Sequence, residues 1–159
     1  MIYLDNAATT PVTEPILEVM LSYLKENYGN PSSLYFLGRK SKRVIETARE
    51  QVAKAINAKP EQIFFTSGAT ESNNWVISNF DYVICSKIEH HSILNNPKCH
   101  QSDFSELERK IRKNNADLVT YMLVNNETGQ IFDIKSLVEI SHKMGIMFHT
   151  DATQAFGHI

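Results

Sequence analysis

The chain has 159 residues, 42% hydrophobic and 21% charged, with a formal net charge of -2, which fits one soluble globular domain with a real core. That charge argues against a large nucleic-acid footprint, no apolar run is long enough to span a membrane, and Met1-Ile2-Tyr3-Leu4-Asp5 lacks the basic region and apolar core of a signal peptide. Two cysteines, Cys85 and Cys99, make no disulfide framework, so a reducing cytoplasm is the expected compartment.

Residues 1–13 read as an N-terminal arm: a short strand in which Ile2 and Leu4 alternate with Tyr3 and Asp5, then the turn formers Asp5-Asn6-Ala7-Ala8-Thr9-Thr10-Pro11. Thr13 to Tyr28 predicts a helix, with Thr13 as cap and Pro15 in the first turn. Gly29-Asn30-Pro31-Ser32-Ser33 breaks it. A second helix is expected from Tyr35 to Ala58, burying Leu37, Val44, Ile45, Ala48, Val52 and Ile56. Its Arg39, Lys40, Lys42, Arg43 and Arg49 read as a solvated face.

Ile63 to Phe65 predicts a strand that runs through Thr66-Ser67-Gly68 into a helix. Gly68 permits close backbone approach or unusual torsions, and Ser67 and Thr70 can cap the helix. On its own the turn reads first as an ordinary capped connection, with a phosphate cradle at a helix N-terminus as the alternative. Further strands are expected at Tyr82–Ser86, Asp117–Val124 and Ile146–Thr150. Helices are expected near Ser92, at Glu106–Asn114 and at Ile134–Met144, the last stopped by Gly145, with Asn95 to Ser105 irregular.

Alternating strands and helices imply an α/β fold with a mainly parallel sheet flanked by helices. Ligands of such sheets bind beyond the carboxyl ends of the strands. Ser67 to Thr70, Glu89, His90, Asn126, Asp151 and Gln154 all fall there. A phosphate cradle, an acid, an aromatic base and an amide suit a phosphorylated heteroaromatic ligand. Asp151 can pair with a ring nitrogen, His90 can stack or shuttle a proton, and Asn126 can donate to a ring oxygen. Singly, each residue also has a local explanation as a turn or surface residue. Cys85, Glu89, His90, His91, Cys99 and His100 match no zinc-ligand spacing, so no metal is expected. Cys85 reads as inert packing, and no activating partner for Cys99 is visible.

The chain resembles the N-terminal part of a cysteine desulfurase, a pyridoxal-phosphate enzyme of the class V aminotransferase group. The resemblance is carried by Tyr3 to Pro11, Tyr28 to Ser33, Thr66 to Asn74, Ser86 to His90, Val124 to Gly129 and His149 to Gly157. It implies that residues 1–159 form one partial cofactor-binding domain, with 14–159 a truncated aminotransferase-type large domain and the C-terminal small domain absent. It implies that Ala69 and Thr70 hold the cofactor phosphate, and that His90 stacks on the pyridine ring and acts catalytically. Asn126 would contact the ring hydroxyl, Asp151 the ring nitrogen, and Gln154 also the cofactor. The implied activity converts L-cysteine to L-alanine and passes sulfur as a persulfide to an acceptor protein, for iron–sulfur cluster assembly or tRNA thiolation. The implied assembly is a homodimer.

Departures from the family pattern set further expectations. The Ser-x-His-Lys motif with the Schiff-base lysine is missing, as is the sulfur-accepting cysteine, so the chain alone is expected to be inactive. The segment from Leu94 to Glu106 looks shortened, at the cost of one edge strand. Tyr35 stands where a histidine is common, and His158 where a lysine is frequent. The strand before Ser67 would lack both sheet neighbours, which implies a dimer, an element swap, a rearranged sheet or a complementing C-terminal chain. The alternative is a non-enzymatic remnant or interaction module that kept the fold.

Overall fold

A computed structural model describes residues 2–159. It forms two compact units, one ending at Phe65 and the other spanning Thr66–Ile159.

In the first unit the arm is not a strand. Ile2 and Leu4 are 86% and 87% exposed, and the backbone instead turns with Ala8 N–H donating to Asp5 O at 3.1 Å. Alternation alone cannot make a strand when no neighbour supplies its hydrogen bonds. Helix α1 (Glu14–Glu26) forms with Pro15 in the first turn, but Thr13, at the N-cap position, makes no side-chain capping bond, and none of the helix's residues is buried. Helix α2 (Phe36–Ala55) buries Gly38, Ser41 and Ala53. Its expected stripe is only half-buried from Leu37 to Val52, and Ile56 is exposed. Gly38 is required by contact: a Cβ there would collide with the carbonyl oxygens of Ser33 and Asn30.

The expected strand at Ile63–Phe65 is absent. Phe64 and Phe65 are 66% and 52% exposed, and the sheet does not include them. Apolar content favoured a strand, but with no adjacent strand there is no ladder to join. Arg49, read from sequence as part of a solvated face, instead donates through Nη1 to Ile63 O, and its guanidinium lies 5.1 Å from the Phe65 ring centroid.

The second unit is a parallel sheet of β1 (Val83–Cys85), β2 (Cys99–Gln101), β3 (Leu118–Thr120) and β4 (Met147–His149), in the order β2-β1-β3-β4. Helices α3 (Ala69–Ser78), α4 (His91–Leu94), α5 (Leu107–Asn114) and α6 (Ile134–Lys143) connect and flank it. The expected strands at 82–86, 117–124 and 146–150 are present but shorter. Alternate residues point to opposite faces. Val83, Cys85 and Leu118 pack with Ile77 and Ile93 on one side, while Ile84 and Val119 pack with Leu107, Ile111 and Leu137 on the other. This is the parallel α/β architecture the sequence implied.

Strand β2 corrects the expectation of an irregular 95–105 segment that had lost an edge strand. It pairs in register with β1, Val83 opposite Cys99 and Cys85 opposite Gln101. Its residues are polar because one edge faces solvent, and His100 stacks on Tyr82 at 3.9 Å between centroids. Gly145 stops α6 as expected, with φ +73°. No helix among the described residues is long and apolar enough to cross a membrane.

Candidate functional site

The residues singled out from sequence sit at the carboxyl ends of the strands and at the N-terminus of α3, all within the second unit. Asp151 follows β4 and is 7% exposed. Its Oδ1 accepts from Thr153 N–H at 2.9 Å and Thr153 Oγ1–H at 2.6 Å, and its Oδ2 accepts from Asn73 Nδ2–H at 2.8 Å. Burial pushes its pKa up, but the bonds from Thr153 and Asn73, with help from His149, outweigh burial and hold the carboxyl below its usual range. A carboxylate with three donors is ionised and ready to pair with a cation.

His90 caps α4 and is exposed. Its Nδ1 accepts from Ser92 N–H at 3.1 Å and lies 2.9 Å from Ser92 Oγ. Asn73 Nδ2 also donates to Ser92 Oγ, at 3.0 Å. Asp151, Asn73, Ser92 and His90 therefore form one hydrogen-bonded chain. Asn126 is half-buried in the turn after β3. Its neighbour Asn125 does the work of that turn, accepting from Glu127 N–H, Thr128 N–H and Thr128 Oγ1–H, and donating through Nδ2 to Ile88 O at 2.9 Å. The bond to Ile88 ties the Asn126 turn to the loop carrying His90. Gln154 is half-buried, three residues beyond Asp151.

At α3, Gly68 is the N-cap with φ 161°, an extended backbone that any residue adopts, and a Cβ there would meet nothing within 4 Å. The chain itself needs neither unusual torsion nor close approach at Gly68, so the open space is what its lack of a side chain preserves. Ser67 and Thr70 do not cap the helix, contrary to expectation. Glu71 folds back over this end instead, Oε2 accepting from Ser67 N–H at 2.7 Å and Ser67 Oγ–H at 2.5 Å. These bonds hold the exposed Glu71 carboxyl below its usual range. No backbone acceptor serves the N–H groups of Ala69 and Thr70, as expected for a first helical turn.

Behind these residues lies Glu89, 4% exposed. Its Oε1 accepts from Ser86 Oγ–H at 2.5 Å and Met122 N–H at 2.8 Å, while Oε2 is buried without a partner. Burial pushes its pKa up to about 7 against those two bonds, and the Asp151 charge adds to the rise. His149, beside Thr120 at 2.8 Å, is pushed down by burial. Cys85 and Cys99 are free thiols on the adjacent strands β1 and β2; the neighbouring Cys99 and burial push Cys85 up, and Cys85 holds Cys99 below its usual range. Among the described residues no group of three or more His, Cys, Asp or Glu is placed to hold a metal. Two grooves, of about 490 and 480 Å³, include none of Asp151, His90, Asn126, Gln154 or Gly68 in their linings.

Sequence reasoning gave no role to Asn73, Ser92 or Thr153. For Asn73 a signal existed: it lies four residues after Ala69, on the same helical face as the open first turn. Ser92 and Thr153 carried none beyond proximity to His90 and Asp151.

The chain belongs to the aminotransferase class-V family, whose model matches residues 2–101 and 95–159. More narrowly, it is similar to the cysteine desulfurase IscS of Methanosarcina thermophila, 40% identical over 182 residues that cover 99% of this chain and 45% of the relative. The solved structure of a NifS-like protein from Rickettsia africae ESF-5 superposes with a TM-score of 0.91 at 35% identity, covering 100% of this chain and 49% of that one. SspA in complex with cysteine gives 0.88 at 32% identity, covering 97% and 51%. The chain thus spans about half the length of the relatives it matches, their N-terminal portion. The two family matches overlap at residues 95–101, where the sequence reads as shortened; the shortening spares β2.

Proposed function

We propose that this chain is the cofactor-binding half of a cysteine desulfurase and that pyridoxal phosphate is its cofactor. The observation that carries the reading is Asp151: a buried carboxylate kept ionised by Asn73 and Thr153 at the end of β4, linked by hydrogen bonds to His90. Such an acid suits a protonated ring nitrogen. The open space at Gly68 and the unpaired N–H groups of Ala69 and Thr70 suit a phosphate, with the Glu71 carboxylate as its near neighbour. Asn126, free of its own turn because Asn125 makes those bonds, would hold the ring hydroxyl, and Gln154 would add a further contact. When bound, pyridoxal phosphate supplies an electron sink for bonds at the α-carbon of an amino acid. The chain's own part is to orient that ring through Asp151 and Asn126, cover it with the His90 imidazole, and let His90 hold or move a proton.

The substrate read from this class is L-cysteine, with sulfur passing to an acceptor protein, in the cytoplasm. Residues 1–159 hold no Ser-x-His-Lys motif, and a second copy would bring none either, so the catalytic reading rests on a complementing C-terminal segment that supplies it. Titration of the purified chain with pyridoxal phosphate, followed by visible absorbance before and after borohydride reduction, tests this. Saturable binding that Asp151→Ala abolishes, with nothing trapped covalently, is the expected result. Absence of saturable binding would favour a remnant that kept only the fold. Covalent trapping on a specific lysine would overturn the reading of which half carries the cofactor bond.

A further inference from the structure

The hydrogen bonds around Asn73 have a direction. Asn73 is 3% exposed, and its Nδ2 spends one hydrogen on Asp151 Oδ2 at 2.8 Å and the other on Ser92 Oγ at 3.0 Å. The Asp151 carboxylate fixes that orientation, since a flipped amide would set oxygen against oxygen. Ser92 Oγ, having accepted from Asn73, has its own proton left to donate. The acceptor in reach is His90 Nδ1, at 2.9 Å, which also receives Ser92 N–H at 3.1 Å. A ring nitrogen facing two donors carries no proton of its own.

We propose that Asn73 and Ser92 are positioning residues that join Asp151 to His90 and hold the imidazole as its Nε2–H tautomer. In that tautomer His90 can give a proton only from Nε2, while its accepting nitrogen, Nδ1, is engaged by Ser92. The relay also makes one residue, Asn73, a donor to Asp151 beside Thr153 and, through Ser92, a support for the orientation of His90. The importance of the relay rests on the cofactor reading above, but its existence does not.

Nitrogen-15 spectra of the cofactor-free chain, recorded for the His90 ring, test it directly. In the wild type, Nδ1 should resonate as an unprotonated nitrogen and Nε2 as a protonated one. Ser92→Ala leaves the backbone cap on Nδ1 but removes the hydroxyl. It should weaken the tautomer bias by roughly fivefold, as loss of one hydrogen bond implies, and Ser92→Thr should restore it. Asn73→Ala should weaken the bias in the same direction while amide spectra report that the fold is kept. A wild-type ring protonated at Nδ1 overturns the proposal. So does a Ser92→Ala ring whose two shifts are unchanged, because backbone capping alone would then account for the geometry. Failure here with pyridoxal phosphate still bound would leave the cofactor reading standing. Loss of cofactor binding with the tautomer intact would do the reverse.

Discussion

At the scale of single residues, the second unit holds two buried carboxyls and a half-buried histidine whose titrations pull stability in different directions. Glu89 has a pKa of about 7 in the fold against an ordinary value of 4.5. The folded state therefore binds its proton more tightly than the unfolded chain does. The stability this contributes is fully present below about pH 4.5 and is lost as pH rises through about 7. A shift of that size corresponds to roughly 3 kcal/mol. His149 is lowered by burial, so stability tied to it falls as pH drops through the imidazole range, opposing Glu89 in an overlapping window. Asp151 is also lowered, and its contribution disappears only in more acid solution. Total stability near neutrality is thus a poor guide to any one group, and a difference between variants is needed. Glu89→Gln can keep the bonds from Ser86 and Met122 and place an amide where the proton on Oε2 would be. Urea midpoints of this variant should match wild type near pH 5 and exceed it at pH 8, with wild type showing the steeper decline. Parallel curves for the two would mean that Glu89 ionises at its ordinary pKa. Residues of this kind were only partly legible in the sequence. Asp151 and His90 stood out because they follow apolar runs, whereas Asn73 matters through a partner 78 positions away.

At the scale of elements, what decided each reading was whether burial or pairing set the outcome. β1, β3 and the helices of the second unit were legible because their apolar periodicity is the physical cause of their packing on the two faces of the sheet. Ile63–Phe65 carried the same kind of apolar signal and failed, because a strand is defined by a neighbour and none is there. β2 failed in the opposite sense: Cys99-His100-Gln101 shows no apolar run, yet β1 offers it a ladder. Caps are a smaller case of the same rule. α3 was expected to be capped by Ser67 or Thr70, but its N-cap is Gly68 with no side-chain bond, and Glu71 instead accepts from Ser67 N–H and Ser67 Oγ–H. α6 is capped by Asp133, whose Oδ1 accepts from Ser136 N–H at 3.2 Å and whose Oδ2 accepts from Ser136 Oγ–H at 2.5 Å. Asp133→Ala removes both bonds without touching the buried face formed by Leu137 and Ser141. Its expected effect is a lower urea midpoint, with Asp133→Asn recovering most of the loss. An Asp133→Ala midpoint equal to wild type would show that α6 is held by packing alone.

At the scale of the whole molecule, burial is distributed very unevenly. Both clusters of buried apolar residues draw all their members from the second unit. Among the described residues the first unit contributes only Ala53 and Ile63 to the buried apolar set, while Ile16, Val19 and Leu24 of α1 are 55%, 55% and 71% exposed. A helix of 13 residues with nothing buried has only its own propensity to hold it, and isolated helices of that length are marginal in water. Its amides should therefore open with little cost, whereas those of β1 and β3, flanked on both sides by paired strands, should open only when the second unit unfolds. Hydrogen exchange on the intact chain, read by mass spectrometry at low protein concentration, should show α1 exchanging orders of magnitude faster than Leu118–Thr120. Repeating it at high concentration separates the two fates of the apolar helix. Protection of α1 that grows with concentration means that a second copy covers it, as the homodimer reading requires. Protection that stays low would rule out a second copy as the cover and count against the homodimer reading. Protection of α1 equal to that of β3 at every concentration would contradict the premise that this helix lacks a partner within the chain.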